Sequence, residues 1–232
     1  MPLQNRVRPD GEIVAITARG TMLGNRGGRI HRPDQTLGNR RWASRAWIAC
    51  ELQFRGRQRQ VMAPNSYTEL FFLDEATALS AGHRPCFECR RAAANQFATL
   101  WAEACDGKAE TGTCRVGARA RAGDMDRVLQ IERVANDGSK RTHRMPMKRL
   151  PDGAMILLPA DGTAGEGESE GEGMTPALVL GQHLLLWSPD GYAAARPRPP
   201  AQAVHVLTPE SIIAVLGAGY EPKLHETALT FT

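Results

Sequence analysis

The pair Cys86-Phe87-Glu88-Cys89 restricts the fold of this chain more than any other feature of its sequence. A Cys-x-x-Cys turn lets two thiolates reach one metal ion, and structural zinc requires four ligands arranged as a tetrahedron. Further ligands must therefore come from other segments, which would tie this turn to a second part of the fold. Two other interpretations stay open, namely a pair of buried thiols or a redox pair, which usually follows a strand in a βαβ unit.

The number of cysteines favours metal binding over disulfide bonding. The 232-residue chain has five cysteines, and residues 1–11 are polar and contain arginine instead of the apolar core of a secretion signal. No apolar stretch approaches the roughly 20 residues of a membrane helix. These features predict a cytoplasmic protein without membrane spans, in which an odd number of thiols argues against a disulfide framework.

Positive charge is concentrated in the first part of the chain. Residues 1–95 contain 15 arginines, no lysine and 8 acidic residues, which gives this segment a net charge of +7, whereas the whole chain carries +4. Arginine binds phosphate with two parallel hydrogen bonds and stacks on bases. The excess is compatible with nucleic-acid binding, although codon bias in a GC-rich genome would produce the same composition.

Strand patterns dominate the first 62 residues. Residues 12–18 and 45–54 predict strands, and the Gly- and Arg-rich segment 19–41 between them predicts a loop. Residues 55–62 follow 45–54 across Arg55-Gly56, and we predict that they form the second strand of a hairpin.

Helix signals flank the Cys-x-x-Cys pair. Asp74 is a typical N-cap for a short helix over 75–81, which Gly82 would end. Apolar residues at helical spacing predict a second helix over about 90–104, and residues 125–134 predict a third, with a strand as the alternative.

The remainder of the chain predicts strands with one late helix. Residues 153–159 and 203–207 read as strands, 177–187 as a hairpin, and Thr208 as the cap of a final helix. The acidic, Gly-rich segment 161–173 has the composition of a disordered loop.

These elements together predict an α+β protein with two parts. Residues 1–105 would form a zinc-stabilised module containing an antiparallel hairpin and helices. Residues 106–232 would form a mixed antiparallel β/α region. No catalytic triad, phosphate loop or dinucleotide fingerprint occurs in the second part, so its role is open.

Residues 71–91 (FFLDEATALSAGHRPCFECRR) resemble the metal-binding domain of Ada-type DNA repair proteins. Residues 24–35 (GNRGGRIHRPDQ) resemble a variant of that module found in nuclease-associated proteins. The resemblance covers about residues 13–92. The matching residues are Gly24-Asn25, His31, Pro33, Phe72, Glu75-Ala76, Ala81-Gly82, Arg84-Pro85-Cys86 and Cys89.

The resemblance implies that His31, Cys86 and Cys89 are zinc ligands. A fourth ligand must be found locally, and we predict Cys50, because it lies between the two matching segments and thiolates suit zinc. Cys50 also fits a buried position on a strand face, a common fate of a free cysteine. Three alternatives stay open for the fourth position: Asp34, His83 or a water molecule.

Two departures from the Ada pattern limit what the resemblance implies. Gln35 stands where the upstream segment has a second cysteine, and an amide is a poor zinc ligand. His31-Arg32-Pro33 replaces the Cys-Arg-Pro segment whose thiol accepts a methyl group in Ada. We therefore do not expect self-methylating repair.

Nine arginines fall within the 34 residues from Arg26 to Arg59, and aromatic residues are interleaved with them. Such a pattern is typical of a surface that binds phosphates and unstacked bases. An edge strand protected from aggregation by its charges would give the same pattern. The residues that we predict to contact phosphate are Arg45, Arg55, Arg57 and Arg59, the last three on one strand face.

The leading hypothesis is a zinc protein that binds DNA or RNA in a repair or regulatory setting. The first alternative is a metal-dependent nuclease or other hydrolase, which would use an open zinc site or the carboxylates Asp124, Asp126 and Glu132. The second alternative is a protein-interaction module that zinc only staples together.

Overall fold

A computed structural model describes residues 1–57, 60–105, 119–159, 173–199 and 202–231. Within these ranges the chain forms two six-stranded sheets and four α-helices, which confirms the predicted mixed α+β class. No helix in the described ranges is both long enough and apolar enough to cross a bilayer.

Two parts of the sequence predictions fall outside the description. Arg59 is not among the described residues, and of the acidic loop predicted at 161–173 only Gly173 is described.

The first sheet is built from short strands and has the order β2-β1-β5-β3-β4-β6. Strand β3 is antiparallel to both of its neighbours, β4 and β5, whereas β4 and β6 are parallel. The strands are β1 (Arg6–Val7), β2 (Ile13–Val14), β3 (Met22–Arg26), β4 (Trp47–Glu51), β5 (Leu70–Phe72) and β6 (Arg84–Pro85).

The register of β3 and β4 separates two faces of this sheet. Leu23 pairs with Cys50, and Arg26 pairs with Trp47. Because side chains alternate along a strand, Leu23 and Cys50 project from one face and Arg26 and Trp47 from the other.

The predicted hairpin across Arg55-Gly56 is wrong. Residues 55–57 form a turn, in which the Arg57 amide donates to the Phe54 carbonyl at 3.1 Å, and β4 pairs instead with β3. Strand β3 lies inside the segment predicted to be a loop. Gly24 is typical of a loop, but the strand requires glycine at this position, because a Cβ there would lie 2.2 Å from the Ile48 carbonyl oxygen.

The two helices around the Cys-x-x-Cys turn are confirmed. Helix α1 (Glu75–Ser80) begins after Asp74, whose carboxylate accepts a hydrogen bond from the Thr77 amide at 2.9 Å. Gly82 follows the helix with φ of +84°. Helix α2 (Arg91–Cys105) begins directly after the cysteine turn, so its first residues continue the turn into a rigid element.

Helices α3 (Ala122–Arg133) and α4 (Glu210–Gly217) complete the helical part. The predicted capping role of Thr208 is wrong, because α4 begins after Pro209 without a side-chain cap. The Thr208 hydroxyl instead accepts a hydrogen bond from the Met155 amide at 2.9 Å, so it ties the start of the helix to the second sheet.

The second sheet has the order β11-β10-β9-β8-β12-β7, and all of its neighbouring strands are antiparallel. The predicted hairpin at Gly181 is confirmed, because β9 and β10 pair on either side of it. The strands are β7 (His143–Pro146), β8 (Met155–Pro159), β9 (Met174–Leu180), β10 (His183–Ser188), β11 (Gly191–Pro197) and β12 (Ala203–Val206).

Hydrophobic packing crosses the boundary predicted at residue 105. Phe97 and Trp101 of α2 belong to one cluster with Leu129 of α3 and Val215 of α4. A second cluster joins Leu73 to apolar residues of the second sheet. The division into residues 1–105 and 106–232 stays a prediction, and the two segments share buried surface.

Candidate metal centre

Three cysteines from two segments meet at the edge of the first sheet. Cys50 lies on β4, and the parallel pairing of β4 with β6 places it beside the turn that carries Cys86 and Cys89. The Cys86 amide donates to the Ala49 carbonyl at 2.9 Å, which fixes the turn against β4. The three sulfur atoms lie within 4.8 Å of one another, and all three thiols are free of disulfides.

This donor set fits a tetrahedral thiolate-bound metal. Zinc–sulfur bonds of about 2.3 Å require sulfur atoms about 3.8 Å apart, which is compatible with the observed grouping. The Glu88 amide donates to the Cys86 sulfur at 3.4 Å, so part of the thiolate charge is already balanced by the backbone. Soft thiolate donors favour zinc over magnesium or calcium.

The thiols also shift one another's protonation. A hydrogen bond from Cys50 lowers the pKa of Cys86 to about 5, although burial acts in the opposite direction. The hydrogen bond from Cys50 also lowers the pKa of Cys89. The interactions with Cys86 and Cys89 raise the pKa of Cys50 itself. The group therefore carries negative charge at neutral pH, which is what a cation requires.

A buried ion pair supports the cysteine turn from the helix side. Arg90 follows Cys89 directly, and its guanidinium donates to both carboxylate oxygens of Glu75 at 2.5 and 2.7 Å. A second carboxylate, that of Glu51 on β4, lies 3.2 Å from Arg90. Because the turn, α1 and β4 all contact this one guanidinium, the sulfurs of Cys86 and Cys89 are held in a rigid setting.

The other predicted ligands lie outside the donor group. Among the described His, Cys, Asp and Glu residues, only the three cysteines form such a cluster. The buried ring of His31 shares a 2.7 Å hydrogen bond with the Thr68 hydroxyl through Nδ1, while its Nε2 has no partner within the described structure. The role of His31 as a ligand stays a prediction.

The alternatives to Cys50 are engaged elsewhere. Asp34 is exposed and accepts hydrogen bonds from the amide and hydroxyl of Thr36. His83 is fully buried, with its ring 5.1 Å from that of Trp47 and 4.7 Å from that of Phe72. Cys50 is thus the one of these candidates that joins Cys86 and Cys89.

A cleft of about 410 Å³ opens beside the three sulfurs. It lies on the face of the sheet from which Leu23 and Cys50 project, and it is wide enough for a ligand larger than water. Besides the cysteines, its walls are formed by Leu23, Asn25, Ile48, Glu51, Leu52, Phe54, Arg57, Val61, Tyr67, Glu69, Phe71 and Glu88.

One of the predicted phosphate-binding arginines, Arg57, lines this cleft, and Arg55 lies over the ring of Phe54, which also lines it. The guanidinium carbons of Arg55 and Arg57 lie 5.0 and 5.4 Å from the centre of the Phe54 ring, and both side chains are exposed. Arg57 also pairs with Glu88 at 2.6 Å. Arg45 precedes β4 while Arg55 follows it, so these two arginines lie at opposite ends of the strand. The predicted common strand face is wrong, because residues 55–57 form a turn.

The carboxylates proposed for a nuclease site do not form a metal cluster among the described residues. Both carboxylate oxygens of Asp126 accept hydrogen bonds from the buried Arg84 guanidinium, from Nε at 2.8 Å and from Nη2 at 2.9 Å. Glu132 accepts hydrogen bonds from the amide and hydroxyl of Ser211, and Asp124 forms an ion pair with its helix neighbour Arg127. Asp126 and Glu132 therefore tie α3 to β6 and α4, whereas Asp124 pairs within its own helix.

Sequence reasoning missed several walls of the cleft. The sequence pattern does not point to Tyr67 and Glu69, because the irregular segment before β5 brings them to the cleft. Glu51 could have been found, since it stands next to Cys50 in the chain. Asn25 belongs to the Ada-like match, but its place in the cleft wall is not predicted, because the segment around it reads as a loop.

The chain matches no protein-family model, no curated protein and no solved structure. The function must therefore be argued from the cysteine group, the cleft beside it and the charges at its mouth.

Proposed function

We propose that this protein binds one zinc ion through Cys50, Cys86 and Cys89 and binds a nucleic-acid strand at the adjoining cleft. One observation carries the proposal: the three sulfurs lie within 4.8 Å of one another, and all three line a cleft that Arg57 also lines. Metal analysis of the purified protein tests the first half, with one zinc per chain as the expected result.

Zinc at this group would join β4 to the cysteine turn. A protein that binds a metal only in its folded state gains that binding energy as stability. The fourth ligand is either His31, as the Ada resemblance implies, or a group that enters from the cleft. In the second case the metal would act as a Lewis acid on a bound ligand.

The mouth of the cleft has the chemistry of a single-strand binding surface. Bases stack on aromatic rings such as that of the half-buried Phe54, and guanidinium groups bind the backbone phosphates. The side chains of Arg57 and Glu88 are 43% and 60% exposed, and an exposed ion pair of this kind contributes about 0–1 kcal/mol. A phosphate can therefore replace Glu88 as the partner of Arg57 with little loss.

Replacing both Arg55 and Arg57 by Gln is expected to weaken single-strand binding and to reduce its salt dependence. Each phosphate contact on a single strand contributes about 0.7 to the slope of log K against log salt, so the double variant should lose roughly 1.4. Fluorescence anisotropy of a labelled oligonucleotide, titrated at several salt concentrations, measures both quantities.

Arg144→Gln serves as the matched control, because Arg144 is an exposed arginine on β7 of the second sheet. It should leave the slope unchanged. Equal slopes for the double variant and the wild type, or no binding by the wild type at low salt, would refute the nucleic-acid half of the proposal.

The cleft also favours a second candidate function, a zinc-dependent hydrolase. Catalytic zinc sites have three protein ligands and one open position, and the described group has three thiols beside a cavity. Turnover of nucleic-acid substrates that is lost in Cys86→Ser but retained in Asp126→Ala would support it. We infer a repair or regulatory setting from the Ada resemblance alone.

A further inference from the structure

A second cavity, of about 40 Å³, lies on the other face of the β3–β4 pair. Arg26 and Trp47 project into it from these strands. Arg133, at the end of α3, and Lys140, in the loop after α3, line its other side. It is separate from the cysteine cleft, since the two cavities share no lining residue.

Two buried guanidinium groups stack against one indole ring in this cavity. The Cζ atoms of Arg26 and Arg133 each lie 4.0 Å from the centre of the Trp47 ring. The two arginines are only 3% and 2% exposed, and neither forms an ion pair with a carboxylate in the described part of the chain. Buried cations without a counter-ion are strongly unfavourable.

The hydrogen bonds of Arg133 leave donors unused. Its Nη atoms donate to the carbonyls of Gly82 and Arg45 and to the side chain of Gln130, all at 2.7–2.8 Å. Its buried Nε has no partner. Since every partner of this guanidinium is neutral, nothing bound to it balances its charge.

Arg26 and Lys140 also have neutral partners and spare donors. Arg26 donates to His83 and to the carbonyls of Arg41 and Gly11, which uses three of its five N–H groups. Lys140 donates one of its three N–H groups to the Ser80 carbonyl at 2.7 Å.

Burial lowers the pKa of Arg26 and of Arg133 to about 9, and that of the half-buried Lys140 to about 7. Nearby cations lower these pKa values further, namely Arg41 for Arg26, Arg26 for Arg133, and both buried arginines for Lys140, whereas nearby carboxylates raise them in part. Both arginines nevertheless stay protonated at neutral pH. Two carboxylates, of Asp10 and Glu12, also line the cavity, but Asp10 pairs with Arg8 at 3.1 Å and Glu12 is exposed.

We propose that this cavity binds a phosphate group through Arg26, Arg133 and Lys140. Bidentate arginine donors match the oxygen geometry of phosphate, and a volume of about 40 Å³ suits one such group. The anion would supply a counter-charge that the neutral hydrogen-bond partners of these cations lack. The phosphate is either free inorganic phosphate or the terminal phosphate of an oligonucleotide, and the site is independent of the metal centre.

Isothermal titration calorimetry with inorganic phosphate at pH 7 and constant ionic strength tests the proposal. Wild type should bind one phosphate per chain and should melt at a higher temperature in phosphate than in chloride. Lys140→Gln should weaken binding at least tenfold. Lys148→Gln, which changes an exposed lysine outside the cavity, should bind like wild type.

Two results would overturn the site. One is a wild-type protein that neither binds millimolar phosphate nor melts at a higher temperature in it, a measurement that requires no variant to fold. The other is a folded Lys140→Gln protein that keeps the wild-type affinity. Comparison of 5′-phosphorylated with 5′-hydroxyl oligonucleotides identifies the source: a preference for the phosphorylated strand supports a terminal phosphate, and equal binding supports free phosphate.

Discussion

Cys86→Ser is expected to lower the affinity of the protein for zinc by about a hundredfold or more. Structural zinc binds with an apparent free energy of roughly 10–16 kcal/mol at pH 7, shared among its ligands, so loss of one thiolate should remove about 3 kcal/mol. The Cys86 sulfur is also positioned by the backbone, because it accepts the Glu88 amide and lies on a turn that the Cys86 amide fixes against β4. Competition with a chromogenic chelator measures the affinity.

The same measurement on further variants defines the coordination shell. Cys50→Ser and Cys89→Ser should lower the zinc affinity as much as Cys86→Ser does. Asp34→Asn should keep the wild-type affinity, because the Asp34 side chain is exposed and bonded to Thr36. A Cys50→Ser protein with unchanged affinity would contradict the three-sulfur group.

His31→Ala then decides the fourth position. A fall in affinity as large as that of the cysteine variants would show that the histidine turns toward the metal and completes the shell. Wild-type affinity would show that the fourth position belongs to another group and would favour a ligand entering from the cleft. The 2.7 Å hydrogen bond between His31 and Thr68 favours the second outcome.

Local chemistry made the surroundings of Cys86 and Cys89 predictable. Each signal lies within a few residues of the element that it defines: the N-cap at Asp74, the helix end at Gly82 and the helical spacing after Cys89. Such signals act over one or two turns of chain, so they can be recognised without knowledge of the tertiary structure.

The neighbour of Cys50 could not be predicted in this way. Strand β3 contains Gly24 and Asn25, both of which lower its strand propensity, and packing against β4 and β5 overrides that preference. With β3 misassigned as a loop, β4 was paired with the following residues, 55–62. The cleft and the cavity on the two faces of the β3–β4 pair could therefore not be predicted from the sequence.

The positions of the arginines show a related limit. Arginines crowd residues 26–59, and the sequence suggests one exposed basic surface. The fold instead buries Arg26 against Trp47 and leaves Arg55 and Arg57 exposed at the cysteine cleft. The same residue type thus lines two different cavities, which lie on opposite faces of the β3–β4 pair.

Glu75→Ala is expected to lower the free energy of unfolding by about 3–5 kcal/mol, because it removes one partner of a buried ion pair. Glu75 is 1% exposed, and it accepts hydrogen bonds from Arg90, from the Tyr220 hydroxyl at 2.6 Å and from the Lys223 amide at 2.9 Å. Its loss would leave the Arg90 guanidinium with only the partly exposed Glu51 as a charged partner. Urea denaturation of the metal-free protein measures the change without a contribution from zinc.

Glu103→Ala is the matched control, since Glu103 is an exposed residue of α2 and its replacement should change stability by no more than about 0.5 kcal/mol. The loss of stability in Glu75→Gln should lie between those of Glu75→Ala and Glu103→Ala. The amide keeps an acceptor for Tyr220 but leaves the charge of Arg90 without the Glu75 carboxylate. Since Arg90 follows Cys89 directly, Glu75→Ala should also weaken zinc binding, whereas Glu103→Ala should not. A Glu75→Ala protein as stable as the control would mean that Glu51 alone balances Arg90, and the cysteine turn would then depend on β4 instead of α1.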